Sequence, residues 1–134
     1  MESQRKIDLA CIIDDDEAYT YTAGRLIKRR QMCRNLMVFS DGSEALEYLT
    51  AVTSNPEQIP EIILLDINMP VMDGWEFMER FSQMRSDLPR QVTVFMVSSS
   101  TDPADMERAK KIQEIAGYIV KPVTEEELAA VFLP

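Results

Sequence analysis

ILLDINMPVMDGWEF, residues 63–77, opens as a strand and closes as a helix. Ile62 to Leu65 is apolar at every position, as a parallel strand covered on both faces must be. The run stops at Asp66. Asn68 to Gly74 read as a loop, with Pro70 and the turn pair Asp73-Gly74. Trp75, Met78 and Phe81 then recur at helical spacing on one side of a helix.

The same alternation extends in both directions. Upstream, Ile7 to Ile13 is a second near-continuous apolar run, ending at Asp14, Asp15 and Asp16. Tyr19, Thr22, Ala23, Leu26 and Ile27 follow at helical spacing, and Cys33 falls near the end of that pattern. Leu36 to Phe39 reads as a strand. Asp41 with Glu44, or Ser43 alone, suits the cap of a helix that turns Ala45, Leu46 and Leu49 inward. Thr53 to Pro60, polar and with two prolines, is a long loop. Downstream, Val92 to Val97 is a strand that ends in serines, and Asp102-Pro103 opens a helix. Gly117 to Val120 is the fifth strand, followed by Lys121-Pro122. Thr124 and Glu127 form a capping box for a last helix lined by Leu128, Val131 and Phe132. Five strands, each followed by a helix, imply an α/β domain: a doubly wound five-stranded parallel sheet with right-handed crossovers. The reading is one domain over residues 6–134, preceded by a flexible tail at 1–5.

Composition narrows the function. A net charge of -9 argues against a nucleic-acid surface and suits a domain that handles cations or meets a basic partner. The basic cluster Lys28, Arg29 and Arg30 falls where a helix C-terminus is expected, offsetting its dipole. No apolar run approaches the ~20 residues of a membrane span, and MESQRKID at the start lacks a signal's apolar core. The expectation is a cytoplasmic protein with no membrane and no nucleic-acid partner. The sequence has no histidine, which excludes zinc–histidine sites, histidine-dependent catalytic triads and any role as a phosphohistidine donor. Cys11 and Cys33 are expected as separate thiols.

In open α/β sheets ligands bind beyond the C-terminal ends of the strands. This sequence puts Asp14 and Asp15, Asp66, Ser98 and Lys121 there. Three carboxylates in one pocket raise one another's pKa unless a cation sits among them. Hard oxygen donors suit Mg²⁺ or Mn²⁺, and the lysine pairs with a carboxylate or a phosphoryl oxygen. The set fits an aspartyl phosphate: carboxylate nucleophile, metal, lysine and hydroxyl. Each residue also has a plainer reading. Asp14 to Asp16 can be an N-cap run, Asp66 a turn residue, Ser98 a strand-end serine and Lys121 a solvated lysine.

Taken together, IIDDDE at 12–17, ILLDINMPVMDGWEF at 63–77, VFMVSSS at 94–100 and GYIVKP at 117–122 resemble the response-regulator receiver family, the CheY-like domains. The resemblance runs from about residue 6 to 133. It implies the flavodoxin-like (βα)5 fold and two-component signalling, with a histidine kinase or phosphotransfer protein as phosphodonor and an unidentified downstream protein target. It implies phosphorylation of Asp66, with Asp15, Asp66 and the Asn68 backbone carbonyl on the metal and Asp14 acting through water. Lys121 matches the family's lysine, with a cis bond to Pro122. Ser98 matches the switch hydroxyl and Tyr118 the switch aromatic. The chain departs from the family pattern in Ser98, where threonine is commoner, and in IQEIA before Gly117, which lacks the usual Ala-Gly-Ala turn. The last helix is also short. A stand-alone regulator, a phosphorelay intermediate and a receiver from a larger protein such as a hybrid kinase all fit. A pseudo-receiver that binds without phosphorylation is opposed by the presence of Asp14, Asp15, Asp66, Ser98 and Lys121 together. A haloacid-dehalogenase-type phosphatase needs Asp-x-Asp, and Asn68 in the second position cannot serve as its acid.

Overall fold

The structure, a computed structural model, describes residues 6–133, so the tail expected at 1–5 and the terminal Pro134 lie outside the described residues. Its elements alternate throughout: β1 (Ile7–Ile13), α1 (Glu17–Arg29), β2 (Cys33–Phe39), α2 (Gly42–Ala51), β3 (Ile62–Leu65), α3 (Gly74–Met84), β4 (Thr93–Ser98), α4 (Pro103–Lys110), β5 (Ile115–Val120) and α5 (Glu125–Phe132). The strands form one parallel sheet in the order β2-β1-β3-β4-β5. The expected doubly wound parallel sheet is therefore the observed one. Among the described residues no helix is long and apolar enough to cross a membrane.

The two-residue period of the strands sorts the core into two layers. Ala10 and Ile12 of β1, with Ile62 and Leu64 of β3, pack under Ala23 and Ile27 of α1 and Leu128 and Phe132 of α5. Cys11, Ile13, Ile63 and Leu65 face the other way, onto Leu49 of α2, Phe77 and Phe81 of α3 and Ala109 of α4. Burying each of the larger side chains contributes about 1.5–3 kcal/mol. With helices on both sides, β3 has no polar face, and all of its residues are buried.

The helix caps follow the sequence reading. Asp41, Asp102 and Thr124 cap α2, α4 and α5, and Thr124 and Glu127 make the full capping box. Some bounds differ, and β4 runs Thr93–Ser98, one residue later than read. β2 starts at Cys33, because it is an edge strand whose polar Arg34 and Asn35 break the apolar signal. β5 starts at Ile115; Val94 pairs with Ile115 and Phe95 with Gly117, so the register shifts around Ala116 and hides the strand's first residues. The 53–60 loop contains a short 3-10 turn at Pro56–Gln58. On the helices, Phe77 joins Met78 and Phe81 in the core while Trp75 is half-buried, Val131 is half-buried, and Thr22 is exposed. Both cysteines are free thiols, Cys11 buried and Cys33 half-buried.

Lys28 and Arg29 lie in the last turn of α1. Beyond them, the Gln31 N–H donates to the Lys28 carbonyl at 3.1 Å and the Met32 N–H to the Ile27 carbonyl at 2.9 Å. This is a complete Schellman motif, with Ile27 and Met32 both buried in one cluster. Its left-handed residue is Gln31, at φ 53, where glycine carries no Cβ penalty. Gln31→Gly is expected to stabilise the fold by about 0.5–1 kcal/mol, read as a higher urea midpoint at unchanged m. A lower midpoint would show that the Gln31 side chain, not its backbone, matters there.

Candidate functional site

Parallel pairing carries the first residue beyond each central strand to the same edge of the sheet. The Asp14 N–H donates to the Phe39 carbonyl of β2 at 2.9 Å, and the Asp66 N–H to the Ile13 carbonyl of β1 at 3.0 Å. The Lys121 N–H donates to the Ser98 carbonyl of β4 at 2.9 Å. Each of these side chains is thus aimed by a backbone bond that extends the ladder. β1 and β3 are the neighbours between which the strand order reverses, and the crevice there is where such sheets bind ligands.

Asp14 and Asp66 are 3% and 6% exposed, while Asp15 stands in solvent at the rim. The Lys121 ammonium lies 2.9 Å from Asp14 Oδ2, 3.8 Å from Asp16 Oδ2 and 4.0 Å from Asp66 Oδ2. Asp14 Oδ1 accepts the Asp16 N–H at 2.9 Å, and Asp66 Oδ1 accepts the Ile67 N–H at 2.8 Å. Burial, and then the Asp14 charge, push the Asp66 carboxyl up to about 6, against the pull of Lys121. Burial likewise raises Asp14, opposed first by the Lys121 ammonium beside it. One carboxylate oxygen from each of Asp14, Asp15 and Asp66 lies within 4.8 Å of the others. A compact set of hard oxygen donors fits a divalent cation such as Mg²⁺.

The run Asp14 to Asp16 divides between its two readings. Asp16 caps α1, accepting the Tyr19 N–H, while Asp14 turns into the pocket and Asp15 brings a carboxylate oxygen to its rim. Asn68 is exposed on the loop after β3. That loop is held down by α3: the Gly74 N–H donates to the Ile67 carbonyl at 2.7 Å, and a Cβ on Gly74 would stand 2.3 Å from the Asp66 carbonyl. Gly74, read from sequence as a turn residue, is therefore the close contact that seats Asp66. The turn pair signalled a glycine but not this packing. Val71, 83% exposed and at φ 69, forms the tip of the same loop.

Ser98 is fully buried at the end of β4, and its Oγ accepts the Ser100 N–H at 3.1 Å. The Tyr118 hydroxyl donates to the Ser100 carbonyl at 2.9 Å. Ser100 Oγ donates to Asp105 on the first turn of α4 at 2.6 Å. Ser98 and Tyr118 are thus joined through Ser100, a residue that the serine run concealed. Tyr19, read from sequence only as a helix-face residue, lies with its ring centroid 4.6 Å from the Lys121 ammonium. The Lys121-Pro122 bond is cis.

Comparison with known proteins points one way. Residues 10–132 match the response regulator receiver domain. A two-component response regulator from Cytophaga hutchinsonii superposes with a TM-score of 0.86 at 30% identity, each chain covered to 96%. The probable methanogenesis regulatory protein FilR2 of Methanothrix harundinacea is 27% identical over 87% of this chain and 74% of its own length. The transcriptional regulatory protein PrrA of Mycobacterium tuberculosis is 38% identical over 67% of this chain, but this chain spans only 34% of that longer protein. A family match that runs from within β1 to the last residue of α5 makes this chain a member of the response regulator receiver family.

Proposed function

We propose that the chain is a signalling phosphoacceptor: Asp66 takes a phosphoryl group from a partner histidine kinase or phosphotransfer protein, and the altered surface is read by a downstream protein. The observation that carries this is a buried carboxylate with one oxygen tied and the other facing an ammonium. Asp66 Oδ1 is held by the Ile67 N–H, which leaves Oδ2, 4.0 Å from Lys121, as the attacking oxygen. At neutral pH the carboxyl is ionised, since its pKa is raised only to about 6. In the proposed step an Asp66 oxygen bonds to phosphorus, the donor's P–N bond breaks, and its imidazole leaves with the electron pair. The chain has no histidine of its own to act as donor. Its catalysis is confined to its own phosphorylation and slow hydrolysis.

Asp15, Asp66 and the Asn68 backbone carbonyl are the proposed protein ligands for Mg²⁺ or Mn²⁺. Asp14, already engaged by Lys121 and the Asp16 N–H, acts through water. The cation, when bound, supplies positive charge for the phosphoryl oxygens. Lys121 meets a phosphoryl oxygen as a fixed point charge. Ser98 uses its Oγ as an acceptor in the resting state, so its proton is free to turn toward a phosphoryl oxygen. A charge-assisted bond of this kind is worth about 1.5–3 kcal/mol, which shifts a two-state ratio by about 10–150-fold. Because Ser100 bonds to Ser98, Tyr118 and Asp105, the movement passes to β5 and α4: Tyr118 turns inward beside β4, and the face around it changes.

The first test is intact mass after incubation with a small phosphodonor and Mg²⁺. Wild type is expected to gain one phosphoryl group, and Asp66→Asn none. Gain by Asp66→Asn, or none by wild type, would overturn the reading.

Ser98→Ala tests the switch. It is expected to take up the phosphoryl group yet lose most of the NMR shift changes at Tyr118 that beryllofluoride induces in wild type. A full wild-type response would remove the hydroxyl from the trigger.

The acidic pocket also has a pH signature. A folded pKa near 6 lies above the ~3.9 of an unfolded aspartate. Between those values the folded state holds a proton that the unfolded state lacks, so stability falls as pH rises through the window. Metal-free Asp66→Asn is therefore expected to exceed wild type by about 1–2 kcal/mol at pH 7.5, with the gap closing toward pH 4. Urea denaturation in EDTA at both pH values checks this, and an Asp66→Asn protein less stable at pH 7.5 would contradict it.

A further inference from the structure

Lys121 is bracketed by carboxylates on one side and an aromatic face on the other. Asp14, Asp16 and Asp66 lie 2.9, 3.8 and 4.0 Å from its ammonium, and the Tyr19 ring centroid 4.6 Å away. Tyr19 is fixed from both ends. Its N–H donates to the capping carboxylate of Asp16 at 3.2 Å, and its ring packs against the core layer under α1 and α5. Its hydroxyl is buried and finds no hydrogen-bond partner among the described residues. A phenylalanine would fill the same space without that orphaned group, so the useful part of the residue is the ring. Beside the pair runs a cleft of about 430 Å³, bordered by Asp16, Tyr19, Lys121, Val123 and Leu128. A flexible lysine with an open cleft and the half-exposed Asp16 next to it has somewhere else to go.

We propose that Tyr19 is a positioning residue for Lys121: its ring face holds the ammonium over Asp14 and Asp66 and keeps it out of the cleft. The inference rests on the phosphoacceptor reading for its consequence, which is the rate of phosphoryl transfer to Asp66. A partly desolvated ammonium is attracted to the ring quadrupole, and that attraction does not compete with the metal for carboxylate oxygens.

The test compares phosphoryl uptake from acetyl phosphate at saturating Mg²⁺ by intact mass. The proteins are wild type, Tyr19→Leu, Tyr19→Phe, Lys121→Ala and the Tyr19→Leu/Lys121→Ala double variant, with Tyr19→Met as a second aliphatic replacement should leucine not fold. Tyr19→Leu is expected to slow uptake by about three- to thirty-fold, the equivalent of one cation–π contact. Tyr19→Phe restores the rate. In the Lys121→Ala background Tyr19→Leu adds no further loss. Mg²⁺ affinity, followed by Trp75 fluorescence, stays the same in Tyr19→Leu. The ring-current shift of the Lys121 ε-methylene, read by NMR without any phosphodonor, disappears in Tyr19→Leu and persists in Tyr19→Phe. No uptake by wild type would overturn the phosphoacceptor reading and the rate effect with it. Uptake by wild type with an unshifted ε-methylene, an unslowed Tyr19→Leu, or an equal loss in the Lys121→Ala background would overturn the role of Tyr19 alone.

Discussion

Asp14 and Asp66 place two carboxylates in one crevice that water barely reaches, and the Lys121 ammonium sets the terms on which they stay there. Like charges at this range repel strongly once solvent is thinned. Lys121 does not divide itself evenly: it is 2.9 Å from Asp14 and 4.0 Å from Asp66. Asp14 is therefore the answered charge and Asp66 the under-answered one, which fits an Asp66 carboxyl pushed up to about 6. The rest of the fold tolerates this because the conflict sits on rigid supports. β1, β3 and β4 end side by side, each fixed by ladder bonds on both edges, with close-packed apolar layers beneath. A loop-borne pair of acids would move apart; these cannot without breaking the sheet.

Much of this was legible in the sequence, and the reason is physical. β1 and β3 are buried on both faces, so their apolar runs are continuous and their ends are marked by the first acid, Asp14 and Asp66. The acidic cluster is legible from those two runs, and the fold class from their alternation with helices along the whole chain. β2 was harder because an edge strand buries only part of each residue, and Arg34 and Asn35 read as loop. β5 was harder because its register shift at Val94/Phe95 detaches Ile115 and Ala116 from the apolar pattern. Inside the pocket, residue type revealed acids and a base but not the contacts between neutral groups. Tyr19 looked like any helix-face aromatic, Gly74 like any turn glycine, and Ser100 like the third of three similar serines. Their roles are set by distances across the chain, which periodicity does not encode. The three aspartates at 14–16 also divide: Asp16 caps α1, while Asp14 and Asp15 each bring a carboxylate oxygen within 4.8 Å of one on Asp66.

The same electrostatic conflict supports the proposed response to phosphorylation. A ligand shifts an equilibrium only by the difference in its affinity for the two states. A site whose charges were already satisfied would gain little from a new group. Here the Asp66 oxygen facing Lys121 is under-paired, the Ser98 Oγ serves as an acceptor with its proton unspent, and Ser100 holds Ser98, Tyr118 and α4 in one chain of hydrogen bonds. Under the phosphoacceptor reading, a phosphoryl group on Asp66 would bring three acceptor oxygens to a place with an ammonium 4.0 Å away and the Ser98 hydroxyl at the end of the neighbouring strand. On the proposed reading the new bonds would form at the expense of the resting arrangement around Ser100, which joins the end of β4 to Tyr118 of β5 and Asp105 of α4. Serine would meet the proposed requirement as threonine does, since both put a hydroxyl at this fully buried strand end.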